Sequence, residues 1–272
     1  MPVSKKRKKK PSSSNSSRDR MRSRSRSTFT PTTLPEQVDP EAIMGRLMRI
    51  KPEALPSVGL SEWYMASTPV RNSNQCVLAC ATVMTALYHL GMQAEPVALQ
   101  LDVPDGRGGT TRYGNLDPHF DAAGNTVGHV GLVADEHFVD VTASQYPEIA
   151  RGGMRVVYGP TRGQADLMLT RGAVIPLRTL DGVQVQYTMG TLGSADAVIA
   201  PMLGENTEDL ARMAFNTITG YTKTLSLVPD LLERVNGLTA PRHAAFVERV
   251  NAMTGLEIVR DEAGNWRTEP AA

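Results

Sequence analysis

No stretch of this chain is long and apolar enough to suggest a membrane span. The longest apolar run, Val77 to Leu90, is broken by Thr82, Thr85 and His89 and falls short of the ~18 residues a bilayer requires. The basic N-terminus is not followed by a hydrophobic segment, so the pattern of a secretory signal is missing as well. Together these absences predict a soluble, cytoplasmic protein that does not bind membranes. Cysteine is scarce, with two in 272 residues. Cys76 and Cys80 lie four apart, and a bridge between them would close one helical turn and constrain almost none of the unfolded chain. Both are expected as free thiols. No internal repeat is visible. The glycines from Gly106 to Gly109 lack the lysine and the strand-to-helix setting of a phosphate loop, so no nucleotide cofactor is expected. Asp117, His119 and Asp121 alternate as metal ligands on a strand would, but turn chemistry explains acidic residues in so Gly- and Asp-rich a segment, and no metal is expected.

What is present begins with an asymmetry of charge. The first 26 residues hold eleven Lys or Arg against Asp19, a balance of +10, while the remaining 246 carry 18 basic and 27 acidic side chains, a balance of −9. Residues 1–38 are Lys, Arg, Ser, Pro and Thr with almost no large apolar side chain, which predicts a disordered tail. Its basic stretch, residues 5–26, reads as a solubilising segment, as a nuclear localisation signal or as a nonspecific nucleic-acid contact.

Beyond the tail the pattern predicts an α+β domain over residues 39–200 and a C-terminal helical extension over 201–272 packed on it. A short helix follows Asp39, with Pro40 at its first position. Residues 56–69 read as irregular, with Trp63 and Tyr64 as anchors. A helix apolar nearly all round runs from about Gln75 to Leu90, with Asn74 or Ser73 as cap and Gly91 as stop. Residues 101–126 read as loops, because Gly, Asp and Asn pairs recur there. Strand patterns cover 130–134, 138–142, 154–158, 173–180 and 183–189, the last two joined at Asp181-Gly182. Helical patterns return at 207–217, 229–236 and 241–253.

Chemistry concentrates at Cys76. A thiol attacks as thiolate, and the first turn of a helix supplies unpaired N–H groups and a positive dipole end; Cys76 is placed there, whereas Cys80, one turn on, reads as a small core residue. If Asp135-Glu136 forms a two-residue turn, Ala134 faces His137, and His129 and Asp140 become diagonal neighbours on one face of paired strands. His137 then points to the opposite face. His243 has no evident partner.

A helix-start cysteine in Asn74-Gln75-Cys76, a histidine opening the strand His129-Val130-Gly131-Leu132-Val133 and an aspartate in Phe138-Val139-Asp140-Val141-Thr142 resemble the papain-like superfamily, particularly its transglutaminase-like and bacterial or phage-type cysteine hydrolases. The resemblance covers about residues 70–190. It implies a core helix packed on an antiparallel sheet, with Cys76 as nucleophile, His129 as base and then acid, and Asp140 holding the imidazole. It further implies a thioester intermediate and a peptide or protein substrate with a peptide, isopeptide or amide bond. The superfamily's oxyanion glutamine precedes the cysteine by several residues, but here the nearby glutamine is adjacent, which leaves Gln75, Asn74 or Trp63 as candidates beside the Cys76 backbone N–H. The competing expectation is a non-catalytic, nucleic-acid-associated or virion-type structural protein that uses the basic tail.

Overall fold

The computed structural model describes residues 40–68, 75–104, 108–150, 156–161, 171–179, 182–205, 207–260 and 266–270. The basic tail, Asp39, Ser73 and Asn74 lie outside them. Residues 37–272 form one compact unit of mixed α and β structure. Among the described residues no helix is long and apolar enough to cross a membrane.

The helical layer begins with α1 (Pro40–Leu47) and α2 (Leu55–Ser67). The latter corrects the irregular segment expected over 56–69. Leu55 to Met65 are all buried, so the sequence shows no amphipathic period, and its proline and glycine read as breakers although Pro56 sits harmlessly in the first turn. Gly59 is required by contact, since a Cβ there would lie 2.3 Å from the Tyr221 ring. Helix α3 (Cys76–His89) is the packing centre, lying against α2, against α5 (Asp196–Glu205), against the long α6 (Thr207–Leu227) and against the sheet, with the single turn of α4 (Pro147–Ala150) between α3 and α5 in the chain. Its N-cap position is Gln75, with no side-chain cap bond, which replaces the expected cap at Asn74 or Ser73. At its other end Arg249 of α8 (Ala244–Thr254) donates to the His89 carbonyl at 2.5 Å, satisfying an orphan acceptor. Arg234 of α7 (Pro229–Asn236) does the same for α1, reaching Leu47 O at 3.0 Å.

The sheet is antiparallel throughout. Its spine is β1 (Ala94–Pro104), whose first half pairs with β5 (Val130–Ala134) and whose second half pairs with β2 (Thr110–Gly114). The other edge of β1 pairs with β9 (Gln184–Met189), and β8 (Ala173–Arg178) follows. Beyond β5 come β6 (His137–Asp140) and β7 (Val157–Pro160). The loops expected over 101–126 are therefore corrected: that stretch holds the end of β1, all of β2 and a small hairpin of β3 (His119–Phe120) and β4 (Thr126–Val127). Its glycines and aspartates make the turns. Asp121, for example, accepts the backbone N–H groups of Ala123 and Asn125, both at 2.8 Å. A second unforeseen hairpin, β10 (Leu256–Arg260) with β11 (Trp266–Pro270), follows α8.

The sheet curls until its ends meet. Gly159 on β7 sits so close to β8 that an added Cβ would lie 2.8 Å from Leu177, and 2.7 Å from Phe138 on the neighbouring strand. Inside this curl a cluster of Val97, Leu99, Leu101, Phe138, Tyr146, Ile175, Tyr187 and Met189 is buried. A larger cluster fills the space between helices and sheet. The Cys76 helix and the His129 strand meet along that boundary.

Candidate functional site

The hairpin that carries the site folds as its local sequence dictates. Ala134 pairs with His137 and Leu132 with Val139, which makes Asp135-Glu136 a two-residue turn, and Asp135 takes φ 58°, the left-handed conformation such turns need. Period-two alternation then sends His137 and Asp140 to opposite faces. His137 is buried away from the site, with its pKa lowered by burial, and its Nδ1 has no described partner.

His129 and Asp140 come together. His129 Nε2 lies 2.9 Å from Asp140 Oδ2, with both side chains almost wholly buried at 1% and 0% exposure. The ring N–H is not aligned on that oxygen, so the contact is a close ion pair more than a linear hydrogen bond. Asp140 is fixed independently of the histidine: Tyr187 Oη donates to Oδ2 at 2.8 Å and the Thr142 backbone N–H to Oδ1 at 3.2 Å. Tyr187 keeps its proton, because burial and the neighbouring Asp140 charge raise its pKa well above the ordinary phenol value. His129 is held through its backbone, whose carbonyl accepts Leu99 N–H at 2.9 Å, and through Gly114, where a Cβ would lie 2.6 Å from the His129 Cβ. The Tyr146 ring meets the imidazole edge-on at 5.2 Å, and Tyr113 stacks on Tyr146 at 4.2 Å.

Cys76 opens α3 at its first position and is 2% exposed. The first helical bond runs from Ala79 N–H to Gln75 O at 2.8 Å, so the N–H groups of Cys76, Val77 and Leu78 have no acceptor within the helix. The thiol neighbours the imidazole and helps to raise its pKa. Burial alone would suppress the charge on His129, but Asp140 first and Cys76 second outweigh it, and the pKa rises to about 10. Cys80 differs in kind. It donates to Val130 O at 3.4 Å, fastening α3 to the strand beside His129, and burial, with the nearby Cys76 and Asp140 charges, pushes its pKa well up.

The chain was compared with protein-family models, curated proteins and solved structures. It matches none of them.

The other sequence-selected residues are scattered. Gln75 is half-buried beside Cys76. Asn74 lies outside the described residues. Trp63 is buried on α2 with its ring against Gly220 of α6, where a Cβ would lie 2.6 Å from it. This is a packing position between helices. His243 is corrected: it has a partner, with Nε2 2.8 Å from Asp135 Oδ2 at the turn of the site hairpin, and Arg242 pairs with the same carboxylate. Asp117 pairs with Arg171, and among the described residues no group of three or more His, Cys, Asp or Glu is gathered to hold a metal.

Three contributors escaped sequence reasoning. Tyr187 and Thr142 hold Asp140, and Gln145, in the short turn Ala143–Gln145 after β6, places Nε2 3.2 Å from His129 Nδ1 and 3.3 Å from Thr142 Oγ1. Only Thr142 and Gln145 carried a signal, as polar residues directly after the aspartate strand. Tyr187 is brought in from 47 residues away.

Proposed function

We propose that this protein is a cysteine-nucleophile hydrolase or acyltransferase with a papain-like or transglutaminase-like core, acting on a peptide, isopeptide or amide bond. The observation that carries the reading is the imidazole of His129, set between a buried carboxylate 2.9 Å away and a thiol at a helix start, and carrying a pKa that, against the effect of burial, those two neighbours raise to about 10. A cation beside a sulfur at a positive helix end is the setting in which a thiol gives up its proton.

In the first half-reaction Cys76 Sγ bonds to the substrate carbonyl carbon, and the carbonyl electron pair moves to oxygen. The N–H groups at the start of α3, which have no acceptor within the helix, would donate to that oxyanion, with Gln75 beside them. The C–N bond then breaks, and the amine leaves with a proton from His129 Nδ1, since Nε2 faces Asp140. A thioester remains. In the second half-reaction Nδ1 takes a proton from water or an amine, the acceptor adds to the thioester carbon, and the C–S bond breaks to restore thiolate and imidazolium.

The test needs no substrate. Iodoacetamide at pH 5.5 is expected to alkylate Cys76 at least tenfold faster than Cys80, read by mass spectrometry of the two sites after digestion, and the advantage disappears in His129→Ala. Equal, slow labelling of both thiols in the native protein refutes the mechanism.

A further inference from the structure

The carboxamide of Gln145 touches the one ring nitrogen that the mechanism needs. Nε2 of His129 is committed to Asp140, and Gln145 Nε2 stands 3.2 Å from Nδ1. An amide NH2 donates, so this arrangement satisfies only the neutral ring, whose Nδ1 carries a lone pair. With its pKa raised to about 10 by Asp140 and Cys76, His129 holds both protons at neutral pH, and Nδ1–H then needs an acceptor on its Gln145 side in place of that NH2. The carboxamide supplies one by turning over, which exchanges Oε1 for Nε2 at the same place.

The surroundings permit that exchange. The second contact of Gln145 Nε2 is Thr142 Oγ1 at 3.3 Å, and a hydroxyl accepts from an NH2 or donates to a carbonyl oxygen by rotating its own hydrogen. Thr142 also fixes the carboxylate on the far side of the ring, through its backbone N–H to Asp140 Oδ1 at 3.2 Å. One residue therefore couples the groups that face the two ring nitrogens.

Resting on the cysteine-hydrolase reading, we propose that Gln145 is a positioning residue whose carboxamide follows the proton on His129 Nδ1. It presents Oε1 to the imidazolium that precedes attack and Nε2–H to the neutral ring of the thioester state. In the thioester state the amide competes with the acyl acceptor for Nδ1, so the acceptor reaches its base only by displacing Gln145. The side chain thus acts on the second half-reaction more than on the first.

Two near-isosteric variants separate this role from simple packing. Gln145→Met can neither donate nor accept, and Gln145→Glu, when ionised, can only accept. A charge-assisted bond is roughly twice as strong as a neutral one, so the imidazolium loses more than the neutral ring in the Met variant. Ring 15N chemical shifts of His129, followed from pH 6 to 11 in the full-length protein, are expected to titrate about one pH unit lower in Gln145→Met and higher in Gln145→Glu, with wild type between. Coincidence of all three titrations, or displacement of both variants in the same direction, overturns the proposal. Iodoacetamide labelling of Cys76 in wild type is the separate check on the underlying reading. Slow labelling there removes the thioester chemistry, whereas opposed shifts at His129 still show the amide following the proton.

Discussion

Replacing Asp140 by asparagine is the most discriminating perturbation of the site, because three donors converge on one buried carboxylate. Oδ2 faces His129 Nε2 at 2.9 Å and Tyr187 Oη at 2.8 Å, and Oδ1 faces the Thr142 N–H at 3.2 Å. An amide has one accepting end. If its oxygen takes the Oδ2 place, its NH2 opposes the Thr142 N–H; in the reverse orientation it opposes the imidazole. Either way a buried donor is left unpaired and the imidazolium loses its counter-charge. Breaking a buried pair from one side costs about 3–5 kcal/mol. That cost depends on pH, and its sign follows from the direction of the shift. The folded pKa of His129, raised from 6.5 to about 10, means that the native state holds one more proton than the unfolded chain between those values. The stabilisation is complete below about 6.5 and is lost as pH rises through about 10, at about 1.4 kcal/mol per pH unit inside the window. Urea unfolding of wild type and Asp140→Asn at half-unit steps from pH 6 to 10.5 measures it. The stability gap is expected to be widest near pH 6 and to narrow steadily toward pH 10. A gap that stays constant across the window would refute the assignment of charge to His129.

Two further changes probe how the dyad is positioned. In Gly114→Ala a Cβ would stand 2.4 Å from Leu99 O and 2.6 Å from the His129 Cβ, at φ +74° where a side chain is strained. We expect a loss of about 2–4 kcal/mol in chemical unfolding together with loss of the Cys76 alkylation advantage; a variant as stable as wild type would show that the strand does not need this close approach. His243→Ala leaves Asp135, buried at 4% side-chain exposure, with Arg242 as its remaining partner at the hairpin turn. A loss of about 2 kcal/mol is expected, with hydrogen exchange accelerated first in residues 130–140; uniform acceleration across the whole sheet would place the clamp's effect elsewhere.

Local periodicity makes part of this molecule legible in its sequence. The hairpin at Asp135-Glu136 has strands of period two joined by the shortest turn, so the parity of His129, His137 and Asp140 follows from counting. Its neighbours escaped for a shared reason. Helix α2 and strand β1 are buried on more than one face, Leu55 to Met65 without interruption and Val97 to Leu99 in succession, and a segment covered all round shows no amphipathic signal. The short strands β2, β3 and β4 failed in the opposite way, being exposed or half-buried except at Thr126 and flanked by the Gly and Asp residues of their own turns. Contacts over long sequence separation, such as His243 with Asp135 across 108 residues and Tyr187 with Asp140 across 47, leave no local trace at all.

The arrangement around Asp140 argues for reactivity over stability. Burying an ion costs several kcal/mol after relaxation, and apolar residues of the same volume commonly serve a core as well or better. Here an imidazole and a carboxylate with 1% and 0% exposure are kept, Tyr187 and Thr142 donate to the carboxylate, and Gln145 contacts the ring. Clusters of perturbed titratable groups held this way are characteristic of functional sites. The two cysteines sharpen the point, because they share one helix, one turn apart, and the same near-complete burial. Exposure does not tell them apart; their neighbours do. Cys80 gives its hydrogen to a backbone carbonyl and fastens helix to strand, while Cys76, at the helix mouth, neighbours an imidazole whose pKa it and Asp140 raise. A core built only for packing has no use for that difference, and the proposed nucleophile depends on it.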